Sequence, residues 1–228
     1  MMGTLRIISR SDRPFKDRRE AGQLLAGELS SLRGQKAVVL GIPRGGVVVA
    51  RELAAVLDAD LDVVLARKLR SPGRSELAMG SVSEDGKLFL NEMVVQELAV
   101  DEAFIEQERK AQLAEIARRS EMIRRVAPKV PLAGRVVVVT DDGVATGATT
   151  QAAIWAVRQE RPARLIAAFP VAPQDTLSRL AEEVDEVVCL RSPPMFYAVG
   201  QFYLRFEPLD DEVLLDILKE ERSRKVKR

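Results

Sequence analysis

Two adjacent carboxylates, Asp141 and Asp142, end the apolar run Val136-Val137-Val138-Val139-Thr140 and are followed by Gly143-Val144-Ala145-Thr146-Gly147-Ala148-Thr149. Neighbouring ionised acids repel each other and add little to a fold, but they are good acceptors for a pair of vicinal hydroxyls. Behind them, the small side chains of Gly143, Ala145, Gly147 and Ala148 let backbone N–H groups approach an oxyanion. The hydroxyls of Thr146 and Thr149 and the start of a following helix add donors. This order suits recognition of a sugar diol ahead of a phosphate. Asp-Asp-Gly alone reads as a turn, and Thr149 alone as a helix N-cap; the length of the whole string is what points to a ligand. The string is neither GxxxxGK[ST], since the loop has no lysine, nor GxGxxG.

Two further groups carry charge next to glycine or at the end of an apolar run. Arg44-Gly45-Gly46 follows the run at 37–41 and leads into a helix, so an arginine and backbone N–H groups are offered together to an anion; a glycine pair in this place also serves simply as a turn. Arg67-Lys68 follows a second apolar run, ahead of a loop containing Arg70, Pro72, Gly73, Arg74 and Glu76. The chain has no histidine, which excludes Ser-His-Asp and Cys-His hydrolysis and zinc sites built on imidazole. Its single cysteine, Cys189, sits in the apolar run Glu186-Val187-Val188-Cys189-Leu190 and reads as a buried strand residue.

Elements of helical length separate the short valine-rich runs, the alternation expected of βαβ units around a parallel sheet. Strands are expected at 37–41, 61–67, 136–140, 164–171 and 186–190, and helices at 15–32, 46–57, 149–160 and 173–183. Residues 71–91 interrupt this rhythm, with alternation that predicts a hairpin turning at Glu84-Asp85-Gly86 and a lid-like role. A long charged helix is expected over 101–126 with only a partial apolar stripe, and the basic C-terminal tail reads as a frayed helix end. The fold class is therefore α/β, a doubly wound and mainly parallel sheet flanked by helices, with a small hood and a flexible loop or hairpin. The 228 residues are read as one domain.

Thirty-five Lys plus Arg against thirty-four Asp plus Glu give a formal charge of +1, so any anion site must be local, and nucleic acid is not an expected partner. No run approaches the roughly 20 apolar residues of a membrane span, and 1–14 have no signal-peptide core, so a soluble, cytoplasmic protein is expected.

The acidic string closely resembles the 5-phosphoribosyl-1-pyrophosphate (PRPP) signature of type I phosphoribosyltransferases, and Arg44-Gly45-Gly46 resembles the pyrophosphate loop of those enzymes. The resemblance spans roughly 38–189 and implies transfer of a phosphoribosyl group from PRPP to a nitrogenous base, with Mg²⁺ held through PRPP oxygens and water rather than by protein ligands. It implies that 67–80 is the flexible catalytic loop, with Arg67 and Lys68 favoured over Arg70 and Arg74 as its working cations and Glu76 as the acid near the base. It also implies a cis peptide other than X-Pro, at Pro43–Arg44. The position of Ala145 is an aspartate in the hypoxanthine-guanine members, so the resemblance leans towards an adenine-like acceptor. The N-terminal residues and 192–206 are assigned to the hood, where Phe196, Tyr197, Phe202 and Tyr203 either stack on a base or form a small packed core. The expected partners are PRPP and a small-molecule acceptor, without a membrane, in a homo-oligomer, most simply a dimer. The competing reading is a regulator that senses PRPP or a nucleotide on the same fold.

Overall fold

The computed structural model describes residues 3–226; the side chains of 74–76, 225 and 226 lie outside the described residues. Its centre is a six-stranded sheet formed by Thr4–Ser9, Val38–Gly41, Asp60–Val63, Val136–Thr140, Arg164–Val171 and Glu186–Arg191, which are β1, β2, β3, β7, β8 and β9. Their order across the sheet is β1-β9-β8-β7-β2-β3, and every pairing is parallel. Val137, Val138 and Val139 are fully buried, as expected when both faces of a parallel sheet are covered. Helices α1 (Arg18–Glu28) and α2 (Gly45–Leu57) supply one core, with Leu25, Val49 and Leu53. Helices α5 (Ala148–Arg158) and α6 (Gln174–Ala181) supply the other, with Ile154, Val157 and Leu177.

The connection β2→α2→β3 and the connection β7→α5→β8 thus leave adjacent strands in opposite directions and on opposite faces. Between β2 and β7 the two loops must part, and the crevice beyond the carboxyl ends of strands at such a switch point is where open α/β sheets hold ligands.

Three expectations change in detail. The strand expected at 61–67 stops at Val63, because its neighbour β2 ends at Gly41 and turns away; Val64 N–H still reaches Gly41 O, and the ladder then has no partner. Arg67 and Lys68 consequently belong to β4 (Ala66–Ser71) of a separate antiparallel ribbon with β5 (Arg74–Ser83) and β6 (Leu88–Leu90). Residues 67–80 are therefore mostly two paired strands rather than an irregular loop, and the second hairpin turns at 84–87, where Gly86 N–H bonds Ser83 O. The ribbon lies on α5 through Phe89 and Trp155, stacked at 4.5 Å. The third change is at the N-terminus, where β1 adds an edge strand to β9 that was not foreseen.

Helix α3 (Glu92–Glu97) leads to the long α4 (Glu102–Arg124), started by Asp101, whose carboxylate accepts from Phe104 N–H at 2.7 Å. Helix α7 (Asp211–Val226) buries Leu214, Ile217 and Leu218 ahead of the basic tail that begins at Lys219, in which Glu221 is buried while Arg222 and Ser223 are exposed.

Candidate functional site

Asp141 and Asp142 follow directly from β7, and Ile42 N–H bonds Thr140 O at 2.9 Å, which draws the loop after β2 against them. The approach is close enough to dictate residue type. A Cβ on Gly46 would stand 2.8 Å from both Asp141 Cα and Thr140 O, and one on Gly45 would collide with the Asp142 carboxylate. The glycines expected to offer N–H groups to an anion are thus also the residues that let the two loops touch. The Pro43–Arg44 peptide is cis. Arg44 begins α2 and its side chain is exposed.

The two acids are not equivalent. Asp142 Oδ2 accepts from Arg18 Nε at 2.7 Å, and these side chains are only 14% and 11% exposed. Arg18 also donates to Glu207 O at 3.0 Å and lies 3.9 Å over the ring of Phe206, while the Tyr203 hydroxyl donates to Asp142 O. Burial raises the Asp142 carboxyl above the ordinary carboxylate range, and Arg18 opposes that rise. Asp141 has no such cation; its Oδ1 accepts Asp142 N–H at 2.8 Å. Burial first, and the charge of Asp142 second, push the Asp141 carboxyl well above its ordinary value. Burial and the same neighbouring charge push the Tyr203 phenol well up.

The loop from Gly143 to Thr149 is held from behind. Val144 is buried and its N–H bonds Val171 O; Thr176 donates to Ala145 O at 2.8 Å and Arg179 to Thr146 O at 3.0 Å. Gly147, at φ +82°, turns the chain into α5, a conformation that favours glycine. Carbonyls being taken by protein leaves the opposite polarity outward. Among the described residues, the N–H groups of Ala145, Thr146 and Gly147 meet no backbone acceptor, and those of Ala148 and Thr149 open a helix, where N–H groups point out of the first turn. Ala145, Thr146 and Thr149 are exposed.

Beside this loop is a cavity of about 460 Å³ whose walls include Pro43, Arg67, Lys68, Arg70, Arg119 and Thr149. The structure thus brings together the loop after β2, the loop after β7 and the basic pair of β4. Arg67 is oriented by Gln112 on α4, its Nε donating to Oε1 at 2.8 Å, and Arg70 by Glu108 at 3.2 Å. Glu76 lies on β5, but its side chain falls outside the described residues. Of the hood aromatics, Phe202 and Tyr203 are buried in a small core with Phe15, Phe196 and Phe206, whereas Tyr197 is 79% exposed.

Arg18, Gln112 and Arg119 escaped the reading of the sequence as site residues, and Tyr203, read as a hood aromatic, was not expected to bond the acid pair. Arg18 left one trace: a cation in the first turn of a helix opposes the macrodipole, so its placement calls for another partner. Cys189 is buried as expected, and burial pushes its thiol up to about 12.

Comparison with known proteins agrees with this geometry. The family model for the phosphoribosyl transferase domain matches residues 17–207. TT1426 from Thermus thermophilus, known from a crystal structure, is 46% identical, with a TM-score of 0.87 over 91% of this chain and 98% of that one. Proteins from two strains of Mycobacterium tuberculosis, provisionally described as phosphoribosyl transferases, are 46% identical over 201 residues, 88% of this chain. The chain spans 45% of the length of those curated relatives. With the family match covering most of its length, and the acidic loop facing the glycine loop across the switch point, the chain belongs to the phosphoribosyl transferase domain family.

Proposed function

We propose that this chain transfers the 5-phosphoribosyl group of PRPP to a nitrogenous base, releasing pyrophosphate. The observation that carries the proposal is the array of N–H groups at 145–149 without backbone acceptors next to the half-buried acid pair, since an anion cradle adjoining two acceptors matches a 5′-phosphate adjoining a ribose diol. In this reading Asp141 and Asp142 accept from the ribose hydroxyls, and Gly143 to Thr149 hold the phosphate. Arg44, Gly45 and Gly46, with Arg67 and Lys68, take the pyrophosphate, and Glu76 serves as the acid near the base. Most of the rate enhancement is electrostatic, because the cations and N–H groups stand where the leaving group gains charge.

The donor set fits Mg²⁺ in a particular way. Among the described residues no cluster of three or more acidic, His or Cys side chains is assembled. Two carboxylates beside a polyphosphate site suit a small hard ion that keeps waters and takes its other ligands from substrate oxygens. Bound so, Mg²⁺ would neutralise charge on the departing pyrophosphate, with Asp141 and Asp142 reaching it through water.

Ala145 leaves no carboxylate at the loop position next to the base, which favours an adenine-like acceptor over a 6-oxopurine. Exposed Tyr197 offers a ring for it to stack on. We further propose a homodimer acting in the cytoplasm, with no nucleic-acid partner; no described helix is long and apolar enough to cross a membrane. The test is incubation with PRPP, Mg²⁺ and a panel of purines, pyrimidines and related bases while pyrophosphate release is followed. Release that depends on one base supports the proposal. PRPP binding without release for any base points to a sensor, and no binding of PRPP refutes both.

A further inference from the structure

The loops after β2 and β7 and the basic pair of β4 do not account for all the positive charge around the cavity. Arg119 reaches its wall from α4, a helix outside all of them. The other two arginines there are already engaged with protein: Arg67 Nε with Gln112, and Arg70 with Glu108. Arg119 is half-buried, yet among the described residues it has neither an ion pair nor a hydrogen bond. Glu115, one turn earlier, borders the same cavity without pairing with it. A guanidinium brought partly out of water with no protein acceptor is unfavourable unless a ligand supplies one.

The helix that carries Arg119 is anchored firmly. Five residues on, Arg124 bonds Asp62 on β3 at 2.7 Å and Glu84 at 2.7 and 2.9 Å, and the two carboxylate side chains are 2% and 9% exposed. Ser120 donates to the same Glu84 at 2.9 Å. Two turns before Arg119, Gln112 is buried and grips the ribbon. Arg119 therefore stands between two fixed points, so its approach to the cavity follows from buried contacts and not from a free side chain on a loose helix.

We propose that Arg119 is a further pyrophosphate-binding residue, so that α4 supplies a wall of the leaving-group site. This rests on the reading of the cavity as the pyrophosphate half of a PRPP site. Arg70 is paired with Glu108, but among the described residues neither Arg67 nor Arg119 has an ion pair, which leaves the cavity wall with positive charge suited to a compact polyanion.

The test uses the full chain with Arg119→Gln, Arg119→Lys and, as a neighbour on α4 outside the cavity wall, Arg118→Gln. Each is titrated calorimetrically with inorganic pyrophosphate plus Mg²⁺, and separately with ribose 5-phosphate, which engages only the acid pair and the phosphate loop. Arg119→Gln is expected to weaken pyrophosphate about tenfold or more, the loss of one charge-assisted contact, and to leave ribose 5-phosphate unchanged. Arg119→Lys should fall between, and Arg118→Gln should match the parent. Thermal unfolding should be unaffected, because Arg119 has no protein partner to lose. Unchanged pyrophosphate affinity in Arg119→Gln, or equal weakening of both ligands, overturns the proposal. A parent protein that binds ribose 5-phosphate but not pyrophosphate overturns it too, while leaving the phosphate loop intact. A parent that binds neither refutes the PRPP reading itself, and this inference with it.

Discussion

Replacing the two acids one at a time should move stability in opposite directions while weakening the same ligand. Asp141 is a carboxyl whose proton affinity is raised by burial and by Asp142, without a cation of its own in hydrogen-bond contact. A group whose pKa is raised on folding favours the fold while protonated and costs stability as pH climbs from the ordinary carboxylate value through the raised one. Asp141→Asn keeps an oxygen for Asp142 N–H but carries no charge. The variant should therefore be more stable than the parent at neutral pH, by about 1 kcal/mol, or roughly 2–4 °C in a domain of this size. That advantage should shrink to nothing as pH falls towards the ordinary carboxylate value of about 4. Asp142→Asn breaks the ion pair with Arg18 at 2.7 Å, leaving a largely buried guanidinium with Glu207 O and the Phe206 face. The amide oxygen can still accept one bond, and removing the charge also relieves the burial that raises the Asp142 carboxyl, so a loss of no more than about 1 kcal/mol is expected, well below the full cost of orphaning a buried charge. Both variants should bind PRPP about 10- to 100-fold more weakly, the worth of a hydrogen bond to a charged acceptor. The assay is thermal unfolding of the three proteins across mildly acidic to neutral pH, with calorimetry against PRPP. An Asp141→Asn protein less stable than the parent at neutral pH, or offset equally at every pH, would show that Asp141 carries no raised pKa and that the asymmetry of the pair is wrong.

Three other outcomes follow from single contacts. Gly46→Ala should destabilise the protein by about 1–3 kcal/mol and abolish pyrophosphate binding, because its Cβ would stand 2.8 Å from backbone atoms of Thr140 and Asp141; unfolding midpoints and titration report both. Cys189, with its thiol pushed up to about 12, should resist alkylation at mildly alkaline pH until the protein is unfolded, as mass spectrometry with and without denaturant will reveal. Gln112→Leu removes the amide that joins Arg67 to α4 and should speed limited proteolysis within 66–83; a cleavage rate equal to the parent's would mean that the remaining contacts, among them Arg70 with Glu108 and Phe89 on Trp155, hold the ribbon without it.

How much of this was legible depended on how local each cause is. The run from Val136 to Thr149 carries strand, acids, loop and helix start in consecutive residues, and β7 and the start of α5 lie within a residue of where the pattern puts them. The turn at 84–87 was readable for the same reason. The strand expected to continue to Arg67 was misjudged because its end is set by a neighbour: β3 stops where β2 does, and periodicity along one strand says nothing of the length of the next. Strand β1 was missed as a short edge element whose six residues are at most half-buried. The cis Pro43–Arg44 peptide was foreseen through family resemblance, since nothing in the dipeptide itself announces it.

The site divides along the same line. The candidate residues of the two loops were legible, because loops that bind anions repeat a few local devices: small side chains, adjacent acids, an arginine before glycines. Residues that hold them in place were not, because their partners are remote. Arg18 meets Asp142 across 124 positions, Gln112 meets Arg67 across 45, and Arg124 meets Asp62 across 62. Helix α4 makes the point most sharply. By composition it is a charged, weakly amphipathic helix of the kind that is solvated along most of its length, yet its polar residues are the ones that act: Gln112 buried, Arg124 in a buried triad, Arg119 on the cavity wall. Polar groups repay burial only when each has its partner, and partners are a property of the folded chain, so a helix that looks like surface in sequence becomes a wall of the cavity in space.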